Sequence, residues 1–309
     1  MRDTFLAALT AQAAIDERIV LLTGDLGFKV LDPFREQFPD RFVNVGVAEA
    51  NLAGISAGLA KEGLRPVMYS IGNFPSMRCL EQIRLNICYH DVPVVIVSVG
   101  AGFSYGALGV SHHATDDLGA MRALPHLTVV TPSDLDEVTR LAPAVFEHAH
   151  PVYLRLDKSA APSYPDIACA LDSWRVVRPG TDVAILAHGG VRAEAEVAAD
   201  MLATQGVFAR VVSCVALTDI SPSMVATTLQ GCRAAVTVEE HVIAGGLGSL
   251  VAEVIAEQQL PTRLVRMGLH ARFAHEVGSQ EHLRTTYGLD APAIVEVVAS
   301  TVREQRAKA

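Results

Sequence analysis

The chain has 309 residues, half of them hydrophobic and 19% charged, with a formal net charge of −9. That length suits two domains, and the composition is that of a packed globular protein rather than a disordered one. The acidic balance, with no basic stripe, argues against a nucleic-acid binder.

Residues 4–14 read as an amphipathic helix; the segment contains acids and lacks the apolar core and cleavage pattern of a signal peptide. Short apolar runs rich in branched residues follow at 19–22, 42–45, 66–69, 92–99, 127–130 and 152–156, and these read as buried strands. Helical patterns lie between them at 48–61, 77–88, 116–123 and 133–148. The last opens with Ser133-Asp134, followed by acids in its first turn, which is an N-cap signature. Periodicity is lost over 159–180, a stretch with three prolines and the single tryptophan, which reads as a linker. A second unit has strand patterns at 183–187, 209–213, 234–238 and 263–267, and helical ones at 191–205, 222–229 and 247–258. Such alternation predicts two doubly wound α/β domains, at 1–160 and 181–309, joined by a 161–180 linker. No apolar run approaches the roughly 20 residues that span a bilayer. The five cysteines form no CxxC pair and read as reduced thiols of a cytoplasmic protein.

The most informative stretch is 38–67, FPDRFVNVGVAEANLAGISAGLAKEGLRPV. A strand-like run meets the turn Gly46-Val47, and a small-residue helix then opens with Glu49. Burial at such a junction disfavours the charged form of a carboxyl group. Taken alone, Glu49 also reads as a first-turn acid favoured by the helix dipole.

The ordered motifs around it resemble the transketolase family. They are Phe38-Pro39-Asp40-Arg41-Phe42, Val45-Gly46-Val47-Ala48-Glu49, Ala57-Gly58-Leu59-Ala60, Arg78-x-x-x-Gln82, Gly109-Val110-Ser111-His112-His113 and Thr131-Pro132-Ser133-Asp134. In the second half, Val238-Glu239-Glu240-His241 and Gly245-Gly246-x-Gly248 resemble the family's C-terminal domain. The resemblance implies a pyrimidine-binding domain followed by that C-terminal domain. For Glu49 it implies a hydrogen bond to N1′ of the aminopyrimidine of thiamine diphosphate, which prepares the cofactor's thiazolium C2 for deprotonation. Phe74 matches the aromatic that stacks on that ring, and Ile71 stands where relatives often carry another Phe. His112 matches a substrate-contacting histidine, and Asp25 matches an acid near the cofactor. Asp25 reads equally as a turn residue. Arg2, Arg78 and Lys158 match positions that approach a sugar phosphate. Leu108 and Gly100 replace, respectively, an Asp that reads a sugar hydroxyl and a His near the phosphate. Glu239, Glu240 and His241 read as structural or as an interface feature, and the glycine run as a packing turn.

The family's metal and diphosphate signature is Gly-Asp-Gly with a downstream Asn. Here Gly24-Asp25-Leu26 is present and no Gly-Asp-Gly occurs. The resemblance therefore implies the C-terminal subunit of a split transketolase. A separate N-terminal subunit would hold Mg²⁺ (or Ca²⁺) and the diphosphate, in an α2β2 heterotetramer, with no metal ligands in this chain. The implied activity is transfer of a two-carbon ketol unit from a ketose to an aldehyde. Three alternatives stay open: the β subunit of a 2-oxoacid dehydrogenase E1, an acyloin-forming enzyme like deoxyxylulose-phosphate synthase, and a non-catalytic scaffold.

Overall fold

A computed structural model of the protein describes residues 1–270 and 273–307. The first sheet contains β1 (Ile19–Thr23), β2 (Phe42–Asn44), β3 (Arg65–Ile71), β4 (Val95–Val99), β5 (Thr128–Val130) and β6 (Val152–Leu156). They are all parallel, in the spatial order β2-β1-β3-β4-β6-β5. Every residue of β1, β4 and β6 is buried, as expected of branched strands covered by helices on both faces. Across the centre of the sheet, Val97 lies opposite Tyr69 on one side and Leu154 on the other.

Helices α1 (Arg2–Ile15), α2 (Asp32–Gln37), α3 (Glu49–Lys61), α4 (Leu80–Gln82), α5 (Asp117–Arg122) and α6 (Leu135–Glu147) cover this sheet. Beyond α4 the backbone widens into a π turn, Ile83–Cys88, so the predicted 77–88 helix is present in broken form. Phe5, Leu9 and Ala13 of α1 recur at helical spacing and pack with Val138, Leu141 and Val145 of α6 over one face.

The second sheet contains β7 (Arg175–Arg178), β8 (Val183–Ala187), β9 (Ala209–Ser213), β10 (Ala234–Val242) and β11 (Arg263–Leu269), in the order β11-β10-β8-β9-β7. Only β7 runs antiparallel among the described pairs. It lies inside the stretch read as linker, and Trp174 just before it is buried with its indole N–H on the Ala216 carbonyl at 2.8 Å. The covering helices are α7 (Arg192–Ala203), α8 (Pro222–Leu229), α9 (Leu247–Glu257), α10 (Gln280–Thr286) and α11 (Ala291–Arg306). One apolar core joins the two halves, with Leu22, Leu52 and Ile83 in the same cluster as Leu186, Val212 and Leu247.

A buried polar seam accompanies that shared core. Glu240 on β10 accepts the backbone N–H of Phe103, from the first half, at 2.8 Å. The same carboxylate takes Arg284 and Gln280 from α10. Asp157, just past β6, accepts Ser104 Oγ at 2.7 Å and the Gly190 N–H at 3.0 Å. Asp134 caps α6 by accepting the Glu137 N–H at 2.8 Å and also takes Arg192 of α7 at 2.7 Å. Glu239 accepts the N–H groups of Leu247 and Gly248, both at 2.8 Å, at the start of α9. The glycine run thus opens a helix whose N-terminal anion is the chain's own carboxylate.

Glu240 is 3% exposed, and removing it takes from the buried Arg284 guanidinium its nearest carboxylate, leaving Glu194 at 3.6 Å and Asp157 at 3.9 Å. Glu240→Ala should lower unfolding stability by about 1–3 kcal/mol in denaturant melts, because the Phe103 N–H and part of the guanidinium lose their acceptor. Adding Arg284→Met to that variant should return part of the loss.

Candidate active site at the carboxyl edge of the first sheet

Apart from Arg2, which opens α1 ahead of β1, the candidate side chains sit at or just past the carboxyl end of a first-sheet strand or at the start of the helix that follows. Asp25 follows β1, Glu49 opens α3 after β2, Phe74 and Arg78 follow β3, His112 lies in the long connection after β4, and Lys158 follows β6. Parallel sheets leave a crevice at these ends, where the strand order reverses. Here the reversal lies at β1 and β3, beside Glu49 and Phe74.

Glu49 is 3% exposed, and the chain reaches it through a left-handed turn at Gly46 (φ 75°). Among the described residues its carboxylate has one side-chain partner, Arg78, with Nη1 to Oε2 at 3.0 Å. That ion pair compensates a charge that burial would otherwise leave alone. The Arg78 guanidinium also lies over the Phe74 ring, 4.1 Å from its centroid. A flat, hydrogen-bonding group therefore already fits between this ring face and this carboxylate.

From Phe74 the line of contacts continues. The His112 ring meets Phe74 edge-on, with centroids 5.2 Å apart, and lies 6.3 Å from the Tyr105 ring. His112 Nδ1 pairs with Ser111 Oγ at 3.0 Å, leaving Nε2 without a partner among the described residues. Burial, then the nearby charges of Arg78 and His113, lower the His112 pKa, so the ring favours its neutral form. Lys158 Nζ sits 3.5 Å from the Tyr105 centroid. Burial, then the charge of Arg2, lowers its pKa.

Glu49, Arg78, Phe74, His112, Tyr105 and Lys158 thus form one continuous row, with Arg2 close enough to act on Lys158 and Tyr105. Gly100 supports the row: with φ 99°, an added Cβ would fall 2.2 Å from Tyr105 Cε2. Leu108 is 55% exposed, and its N–H bonds the Tyr105 carbonyl at 2.9 Å. Ile71 ends β3 and its carbonyl accepts the Phe74 N–H at 2.9 Å. Asp25 stays outside the row. It is exposed and left-handed (φ 58°), and it exchanges hydrogen bonds with the Asn44 side chain.

The segment 1–163 matches the family model for the transketolase pyrimidine-binding domain, and 172–294 matches that for the transketolase C-terminal domain. The chain belongs to the transketolase family. It is 35% identical to one subunit of the apulose-4-phosphate transketolase of Actinobacillus succinogenes, over 87% of each chain. It is also 35% identical to the 6-deoxy-6-sulfo-D-fructose transketolase subunit SqwH of a Clostridium species, over 99% of this chain and 95% of that one. A solved structure described as a split-gene transketolase, an inactive β4 tetramer, superposes with a TM-score of 0.88 at 36% identity over 98% of both chains. Transketolases are thiamine-diphosphate-dependent transferases, and these relatives are subunits of split ones.

Within this transketolase chain, sequence reasoning missed Tyr105, which joins the histidine to the cationic end. Its signal was an aromatic in a glycine-rich loop, Gly102-Phe103-Ser104-Tyr105-Gly106. His113, beside His112, turns inward: it is 2% exposed, Nε2 pairs with the Gly106 carbonyl at 3.1 Å, and its ring meets Phe103 edge-on. It shapes the loop rather than lining the row.

The depressed His112 pKa has a direct consequence. In an NMR titration the ring should titrate below the free value of 6.5, and Arg78→Met should move the midpoint upward. Because the folded ring resists protonation, this residue's contribution to stability should be lost as pH falls from 6.5 through that lower midpoint. A midpoint at or above 6.5 would contradict the geometry.

Proposed function

We propose that this chain is the pyrimidine-binding subunit of a split transketolase-like enzyme that moves a two-carbon ketol unit from a ketose to an aldehyde acceptor. The observation that carries the reading is the row from Glu49 to Lys158 along one sheet edge. When bound, thiamine diphosphate supplies the electron sink that lets a C–C bond beside a carbonyl break. Glu49 and Phe74 would hold its pyrimidine end, with Ile71 as an apolar neighbour and Asp25 at the rim. Arg78, now seated between them, must move aside first and is then free for an anionic substrate. His112 offers Nε2 to the reacting oxygens, donating or accepting a proton there. Arg2 and Lys158 supply positive charge for a sugar phosphate or similar anion. Leu108 offers no hydrogen bond to a sugar hydroxyl, and Tyr105 fills the space beside Gly100, which points to an acceptor or donor outside standard pentose phosphates.

The relatives are each one subunit of a larger transketolase, which supports a second polypeptide here; it would hold Mg²⁺ or Ca²⁺ and the diphosphate. An α2β2 heterotetramer has closed symmetry and is the assembly we favour. We keep two domains but start the second before β7 rather than at 181, a shift supported by the match that begins at residue 172 and by the pairing of β7 with β9. No helix among the described residues is long and apolar enough to cross a membrane, and the five unpaired cysteines fit a reducing, cytoplasmic setting.

The chain alone should turn over no ketose when supplied with cofactor and metal, whereas mixing it with its partner should restore activity. A ketose donor assayed against a 2-oxoacid separates this reading from that of an E1 β subunit. In the reconstituted enzyme, Glu49→Gln should reduce kcat at least a hundredfold, about the worth of acid–base catalysis, with assembly intact by sedimentation. A fully active Glu49→Gln enzyme would remove the catalytic assignment. Arg78→Met should bind thiamine diphosphate several-fold more tightly by calorimetry while raising KM for an anionic ketose.

A further inference from the structure

The opposite, amino-terminal edge of the first sheet carries a separate cluster. Asp91 lies ahead of β4, His126 ahead of β5 and His150 ahead of β6. These strands are neighbours in the order β4-β6-β5, so the topology brings together residues that lie far apart in sequence. His150 Nδ1 is 2.8 and 2.9 Å from the two Asp91 oxygens, and His126 Nδ1 is 3.7 Å from Asp91 Oδ2. One donor atom from each of the three lies within 4.8 Å of the others. The His126 and His150 rings stack with centroids 6.4 Å apart and planes 22° apart, and the His148 ring lies 5.6 Å from His150.

The backbone adds a second observation. Asp91 (φ 50°) and His126 (φ 67°) both adopt the left-handed conformation without being glycine. Strain of this kind collects at ligand clamps and other functional sites. His126, His148 and His150 also line a cavity of about 720 Å³ that includes Cys169 and Asp219.

We propose that Asp91, His126 and His150 bind one divalent transition-metal ion of the zinc class. Two imidazoles and one carboxylate are a borderline donor set that suits Zn²⁺, Co²⁺ or Ni²⁺ rather than Mg²⁺ or Ca²⁺. Three protein ligands leave the remaining position to water. The side chains are about one-third to one-half exposed, so an ion reaches them from solvent without opening the fold. An ion here would clip together the turns that feed three adjacent strands, on the side of the sheet away from Glu49. The site does not rest on the transketolase chemistry proposed above.

The test uses the tag-free full chain after chelator treatment. Zinc chloride titrated by calorimetry should bind one-to-one with an affinity on the order of micromolar, and should raise the melting temperature. Cobalt chloride should produce visible d–d absorption. Asp91→Asn and His150→Ala should each weaken zinc binding at least about tenfold, the loss that even outer-sphere partners cause. His282→Ala, an exposed residue of α10 against the second sheet, should leave binding unchanged. Melts in chelator check that the variants fold; should one fail, His126→Ala takes its place. No saturable binding to the folded chain, or equal binding by the variants, would overturn the proposal.

Discussion

A carboxylate cannot sit alone in a protein interior; it must find compensating donors or become neutral. Glu240 finds them in two halves of the chain, with the Phe103 N–H on one side and Gln280 and Arg284 on the other. Burial raises its pKa, and Arg284 opposes that rise. The charge is satisfied only when the second sheet is docked on the first. Phe103 begins the loop that carries Tyr105 and ends at the two histidines, so the shape of that loop depends on docking. The second sheet contributes no residue to the row from Glu49 to Lys158, yet it holds half of that row in place.

The row itself illustrates how a parallel sheet concentrates chemistry. Four strand ends deliver a carboxylate, aromatics, a histidine and cations to one edge, on connections braced by the strands below. The Arg78 guanidinium marks the shape of the central space. It is planar, donates a hydrogen bond to Glu49 and faces the Phe74 ring. Any ligand that replaces it must reproduce both contacts or lose their energy.

Much of this was legible in the sequence, because buried parallel strands announce themselves as branched apolar runs and Asp134 and the acids after it mark a helix start. Glu49, Phe74 and His112 were singled out through the family resemblance, and the fold brings the three side chains to one sheet edge. Other parts were written too faintly. The edge strand β7 lies in a proline-bearing stretch, and its pairing comes from the tertiary partner β9 rather than from its own pattern. Helix α11 is rich in β-branched Val and Thr, which weakens a helical signature, although Asp290 caps it. Tyr105 could not be placed because its position depends on the empty space above Gly100. The Asp91, His126 and His150 cluster is a product of strand order, which no local spacing encodes.

Glu239 gives the two halves different fates. Both sheets are doubly wound, and such sheets commonly offer a helix N-terminus to a phosphate. In the second sheet, Glu239 already fills that position at α9, with His188 behind it at 3.9 Å. The N-terminus of α9 is thereby closed to an external anion. To acquire a ligand there, the chain would have to surrender an internal charge and leave two amides bare, so the closed end of α9 is maintained by the stability of the fold itself.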